Sequence, residues 1–133
     1  MKICVTSTGD TLDSDVDPRF GRCRYFLILD TDTMKFKSIS NESAITSGGA
    51  GIQAAQTIAK AGVEVVITGN MGPNAFQTLS AAGITVFTGV NGNIKEAVEK
   101  YKKGEMKKTL APSVGSHFGM GRSGGGFGRG REI

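Results

Sequence analysis

The hydrophobic pattern of the chain opens with short apolar runs of strand length and then interleaves such runs with stretches of helical 3.6-residue spacing. "KICVTS", Lys2–Ser7, is a short run with β-branched residues and predicts a buried strand. "YFLILD", Tyr25–Asp30, predicts a second. "KFKSISN", Lys35–Asn41, alternates less cleanly, because Phe36 and Ile39 fall out of phase; the turn-like "TDTM" before it still makes it a third strand, closing a hairpin. "AGIQAAQTIAKAG" then places Ile52, Ala55, Ile58 and Ala59 on one helical face and stops at Gly62. "VEVVIT", Val63–Thr68, is almost continuously apolar, as in a strand covered on both faces. "GPNAFQTLSAAG" reads as a helix with Pro73 in its first turn and Phe76 and Leu79 on one face. "ITVFT", Ile84–Thr88, is the fifth strand. In "NIKEAVEKYKKG", Ile94, Ala97, Val98 and Tyr101 recur at helical spacing and predict the last helix.

The predicted order is therefore βββαβαβα. Three leading strands form a meander, and right-handed crossovers add two parallel strands, giving a mixed five-stranded sheet in an α/β fold. With the second strand antiparallel to the first, the loop Gly9–Arg24 lies at the carboxyl end of the first strand. "ESAITSGGAG", "GNMGPN" and "GVNGN" emerge at the same rim, where open α/β sheets bind ligands. Three of these loops lead into helices, whose unpaired N–H groups and dipoles point into the rim. Arg19, Arg22 and Arg24 add charge, and glycines 48, 49, 51, 69 and 72 permit close backbone approach. This rim suits an anion.

A length of 133 residues is enough for one domain, and 38% hydrophobic with 21% charged residues is an ordinary globular composition. No apolar run approaches the roughly 18–20 residues that span a bilayer. The N-terminus lacks the features of a signal peptide, so we expect a cytoplasmic protein with reduced thiols. From Ala111 the composition changes to glycine with Arg122, Arg129 and Arg131 and few aliphatic residues. The expected organisation is a domain over 1–110 followed by a Gly/Arg-rich tail, flexible in isolation, over 111–133. A net charge of +4, partly in that tail, does not by itself imply nucleic acid.

Within "DPRFGRCRYFLILD", Cys23 supports two readings. It is core filler at a strand entrance, or it is a soft ligand whose thiolate the surrounding positive charge favours. Cys4 reads as core. Two cysteines without a CxxC pair cannot build a closed zinc site, and a single histidine, His117, excludes a His cluster within one chain. His117 reads most simply as an exposed tail imidazole; the alternative is a tail that folds over the rim and offers His117 or Met120 to a soft metal. "GGAG" lacks both the Walker lysine and the GxGxxG spacing, so it reads as a loop-to-helix turn before a phosphate cradle. Asp10, Asp13, Asp15 and Asp17 lack the central glycine and closing glutamate of a calcium loop.

"VDPRFGRCRYFLILD", "GGAGIQAAQTIAKAGVEVVITGNMGPNAFQTLSAAGI" and "GSHFGMGRSGGGFGRG" together resemble the dinitrogenase iron–molybdenum cofactor biosynthesis family, the group of NifX and the carboxyl-terminal part of NifB. The similarity runs from about Lys2 to Lys103. It implies a three-layer α/β/α, ribonuclease H-like fold, with no nuclease activity attached, since no carboxylate cluster for two-metal cleavage is in evidence. It also implies binding of an iron–sulfur or molybdenum-containing cluster, or a precursor, and its transfer between donor and acceptor proteins by a non-catalytic carrier. Carried over by motif, the cluster-facing residues are Arg19, Gly21, Arg22 and Cys23, then Gly48, Gly49 and Gly51, then Gly69, Asn70, Gly72 and Asn74. Cys23 and His117 are the metal ligands so implied.

A lone thiol suggests weak or transient binding, binding across a dimer, or an anion held without covalent ligation; the expected state is a monomer or a weak homodimer. Two other functions compete. A Gly/Arg tail with Phe127 resembles segments that bind RNA or protein by charge and stacking, although nucleic acid is not the expected partner of so short a repeat. A small-molecule enzyme using the rim lacks an evident base or nucleophile.

Overall fold

The βββαβαβα order is the order of the elements in the computed structural model, which describes residues 1–41 and 50–113. They are β1 (Lys2–Ser7), β2 (Tyr25–Asp30), β3 (Phe36–Ser40), α1 (Ala50–Lys60), β4 (Val65–Ile67), α2 (Pro73–Ala81), β5 (Thr85–Phe87) and α3 (Ile94–Lys102). The strands form one sheet in the order β3-β2-β1-β4-β5. β2 is antiparallel to both β1 and β3, whereas β4 and β5 extend the sheet parallel to β1. A meander followed by crossovers produces this mixture, because each crossover helix returns the chain to the same starting end.

Alternation along the strands divides the core. Ile3, Val5, Leu27, Leu29, Val65, Ile67 and Phe87 pack beneath Ile94, Ala97 and Val98 of α3. Cys4, Phe26, Ile28, Val66 and Val86 face Ala54, Ala55 and Ile58 of α1 and Ala75 and Leu79 of α2. The result is three layers, α/β/α. Tyr101 closes the α3 side with its ring edge-on to Phe87, centroids 5.5 Å apart.

The β2–β3 hairpin is built around Asp30. Its N–H donates to the Lys35 carbonyl at 2.9 Å, and its carboxylate accepts from the N–H groups of Asp32 and Thr33 at 2.8 and 3.3 Å. Those two donors hold the Asp30 carboxyl below the usual range. Met34 takes the left-handed conformation that closes the turn, with φ of 60°.

Three expectations shift. The buried face of α1 is Ala54, Ala55 and Ile58, and Ile52 is 38% exposed, because α1 lies against α2 along its small residues. β4 and β5 are three residues each, shorter than the apolar runs, although Val63 and Ile84 remain buried just before them. β3 is an edge strand, which leaves Phe36 40% exposed and explains its poor alternation. Among the described residues no helix is long and apolar enough to cross a membrane.

Candidate functional site

The carboxyl ends of β1, β4 and β5 and the amino end of β2 share one rim of the sheet. Residues 8–24 lie along it and are stitched to two other loops by backbone pairing. Val16 bridges to Ser7, Asp15 to Asn93, and Arg19 to Asn70. The Asn70 N–H donates to the Pro18 carbonyl at 2.8 Å, and the Phe20 N–H donates to the Asn70 carbonyl at 3.2 Å. Gly69 makes this approach possible: a Cβ there would stand 2.6 Å from Pro18 Cα. The predicted convergence of the "PRFGRC", "GNMGPN" and "GVNGN" loops is thus present.

Beneath the rim, Thr6 Oγ1 donates to the Asp17 carbonyl at 2.7 Å and lies 2.8 Å from Thr68 Oγ1. Thr6 has one hydroxyl hydrogen, so Thr68 donates to Thr6, and both buried hydroxyls are satisfied. The Asp17 side chain is only 3% exposed. It accepts from the Arg19 N–H at 3.0 Å and lies 3.5 Å from Arg19 Nε. Arg19 itself is 61% exposed, so its guanidinium projects outward from this buried anchor. Arg22 and Arg24 are exposed beside it.

Cys23 lies in the core with Phe20, Phe26 and Met71. Its thiol donates to the Phe20 carbonyl at 3.4 Å, and Asn41 Nδ2 donates to the carbonyls of Gly21 and Cys23 at 3.1 and 3.0 Å. Burial pushes the Cys23 pKa far up; the Asp17 carboxylate adds to this, and Arg19 opposes it less strongly. Of the two readings of Cys23, the burial favours core filler with a protonated thiol over a thiolate stabilised by neighbouring arginines. Desolvating a thiolate costs more than a guanidinium standing in water returns. Cys4 is likewise buried, with its pKa raised by burial and by Cys23.

The helix ends also differ from expectation. Gly72 precedes α2 in an extended conformation, and no side chain caps that helix. At α3, Asn93 Oδ1 accepts from the N–H groups of Lys95 and Glu96 at 2.9 and 3.4 Å, so those donors are taken. Residues 42–49, which lead into α1, lie outside the described residues, and with them Gly48 and Gly49; His117 and Met120 do too. Gly51 is on the α1–α2 contact, where a Cβ would stand 3.5 Å from Ala75 Cβ. Asn74 is exposed in the first turn of α2, and Asn70 is half-buried at the bridge. Of the residues assigned by motif, Arg19, Gly21, Arg22, Gly69, Asn70, Gly72 and Asn74 gather at the rim. Cys23 lies below it. Among the described residues, no three of His, Cys, Asp or Glu come together to hold a metal ion.

Sequence reasoning missed three contributors. Asp17 anchors Arg19, Asn41 brackets the "GRC" turn, and Ser113, two residues beyond Ala111 where the composition changes, hydrogen-bonds Met71 at the rim. The "DP" step before Arg19 was the available signal for the first, since Asp before a tight turn commonly accepts from the backbone two residues on. The other two depend on segments distant in the chain.

A family profile described as dinitrogenase iron-molybdenum cofactor matches residues 1–104. The fold is similar to the apo form of the orange protein from Desulfovibrio gigas, with 42% identity, a TM-score of 0.83, and coverage of 85% of this chain and 96% of that one. It is also similar to a putative NifB protein from Thermotoga, with 32% identity, a TM-score of 0.72, and coverage of 85% and 98%. A putative dinitrogenase protein from Methanocaldococcus jannaschii shares the fold at 22% identity and a TM-score of 0.63, over 84% of this chain and 97% of that one. Among curated protein sequences none matches.

Proposed function

The chain belongs to the dinitrogenase iron-molybdenum cofactor family, and from that premise we propose that it binds an iron–sulfur or molybdenum-containing cluster, or a precursor, as cargo. It then passes the cargo from donor to acceptor proteins in cofactor assembly, as a carrier and not as a catalyst. The observation that carries this reading is the Arg19–Asn70 bridge, which brings the arginine loop to the uncapped start of α2. Metal–sulfur clusters of net negative charge match that pairing of guanidinium groups and backbone N–H donors. The orange protein described in an apo form and the putative NifB protein both agree with cofactor handling.

The buried, protonated Cys23 makes ligation through its sulfur unnecessary to this account. Arg19 and Arg22 supply charge; Gly21, Gly69, Asn70, Gly72 and Asn74 supply backbone shape and donors around it. Cys23 frames the arginine loop from below.

Anaerobic incubation with tetrathiomolybdate, and separately with ferrous iron and sulfide, tests the proposal. After desalting, the wild type is expected to retain a stoichiometric chromophore. Arg19→Gln combined with Arg22→Gln is expected to lose most of it, and Cys23→Ala to keep it. A wild type that emerges colourless and free of metal from both incubations overturns the reading.

A further inference from the structure

The two edges of the sheet are finished differently. Along β5 the chain that follows α3 returns and covers the outward backbone. The Thr109 N–H donates to the Val86 carbonyl at 2.8 Å, and Thr109 Oγ1 accepts from the Thr88 N–H at 2.8 Å. Ser113 then clasps Met71, its N–H donating to the Met71 carbonyl at 3.0 Å and its Oγ accepting from the Met71 N–H at 2.8 Å. At the opposite edge, β3 has no neighbour beyond it among the described residues. The phase of its bonds to β2 is set at both ends, because the Lys35 carbonyl accepts from the Asp30 N–H and the Asn41 N–H donates to the Arg24 carbonyl. Antiparallel pairing alternates, so Lys37 and Ile39 also face β2, and the backbone groups of Phe36, Ser38 and Ser40 point out of the sheet. All three of these residues are exposed.

We propose that this edge is a docking site for an acidic, extended segment of a partner protein, which adds to β3 as a further strand. The outward N–H and carbonyl groups of Phe36, Ser38 and Ser40 form the ladder that such a segment completes. Charge selects it. A hollow of about 320 Å³ beside the strand is lined by Ile28, Lys2, Lys35 and Lys37. Asp30 is the one acid in its lining, and that carboxylate already accepts from the N–H groups of Asp32 and Thr33 and lies 4.0 Å from the terminal amine. Phe36 pairs with Leu29, so its exposed ring lies on the other face of the sheet from Lys37, which pairs with Ile28. A segment that alternates acidic residues toward the lysines with apolar residues toward Phe36 matches both faces. A second copy of this chain matches them poorly. The two-fold pairing with the fullest overlap sets Ser38 opposite Ser38 and brings the two Lys37 side chains diagonal on one face, where like charges repel. The lysines lie at the end of β3 away from the arginine rim, so the docking does not depend on the carrier reading.

The probe is the peptide acetyl-Val-Glu-Val-Glu-Val-Glu-Val-amide, titrated into the isotope-labelled full-length chain and followed by amide NMR shifts and hydrogen exchange. The amides of Phe36, Ser38 and Ser40 are expected to shift on binding and to exchange at least about tenfold more slowly. Gln in place of Glu throughout the peptide, or Lys35→Gln/Lys37→Gln in the protein, is expected to weaken binding about fivefold, the weight of two cross-strand charge pairs. Ser38→Pro removes the central outward N–H and spares the bonds to β2, so it is expected to keep the thermal midpoint and to bind at least about tenfold more weakly. Shifts confined to residues outside β3, equal affinity for the Gln peptide, a folded Ser38→Pro variant that binds as the wild type does, or no binding at millimolar peptide overturns the proposal. Protection of the same three amides without peptide, with a dimer in sedimentation, overturns it in favour of a second copy. None of these readouts involves tetrathiomolybdate, whose retention tests the carrier reading separately.

Discussion

Three arginines surround Cys23 in the sequence, yet the folded protein holds the thiol protonated. Burial raises the pKa of an acidic group by several units when complete, whereas a solvent-exposed guanidinium acts through a screened, high-dielectric path. Both Cys4 and Cys23 are raised above their unfolded values. Their contribution to stability is therefore complete below the ordinary thiol pKa of about 8.5 and is lost as pH rises beyond it. The urea midpoint is expected to fall from pH 8 to pH 10, and iodoacetamide near pH 8 to label neither thiol until the chain is denatured. A flat midpoint, or rapid labelling of native protein, contradicts this assignment. Gly69 is the second decisive residue. Because Pro18 Cα and its carbonyl stand 2.6 and 3.0 Å from an added Cβ, Gly69→Ala pushes backbone against backbone. A loss of about 1–3 kcal/mol is expected in urea unfolding, with weaker tetrathiomolybdate retention as the two rim loops part.

Two helices that start at the same rim differ in what their first turns have to offer. Asn93 consumes the donors of α3, so Asn93→Ala is expected to cost about 1 kcal/mol of stability and to leave tetrathiomolybdate retention unchanged. α2 has no side-chain cap, and Gly72 combines ordinary φ of −80° with open space around an added Cβ. Gly72→Asp can therefore cap the helix, with a gain of a few tenths of a kcal/mol, while its carboxylate repels an anion at the rim. Thermal unfolding and metal retention measured together should move in opposite directions; a variant that becomes more stable and binds more tightly removes the α2 end from the site. Among the described residues element identity was legible, because short apolar runs and helical 3.6-residue spacing are each carried by neighbouring residues. Phase was not always legible. Ile52 matched the helical period and is nevertheless exposed, since the face that α1 buries is chosen by its contact with α2.

At the scale of the molecule, the sheet order β3-β2-β1-β4-β5 places the starts and ends of its inner strands so that residues distant in sequence form one charged rim. Attraction held by exposed arginines is screened over about 8 Å at physiological ionic strength, so tetrathiomolybdate retention is expected to weaken steadily as sodium chloride is raised; retention indifferent to salt argues for covalent ligation instead. Local periodicity and the two rim motifs were enough to determine the βββαβαβα order and the likeness to the cofactor family, because each is carried by short stretches of chain; the assignment of core residues to the two faces of the sheet came only with the packing. The protonated state of Cys23, the Asp17 anchor under Arg19, the capped start of α3 and the clasp of Ser113 on Met71 were decided by tertiary structure alone. Each depends on desolvation or on a hydrogen-bond partner supplied by packing, and neither is determined by the residue's own neighbours in the chain.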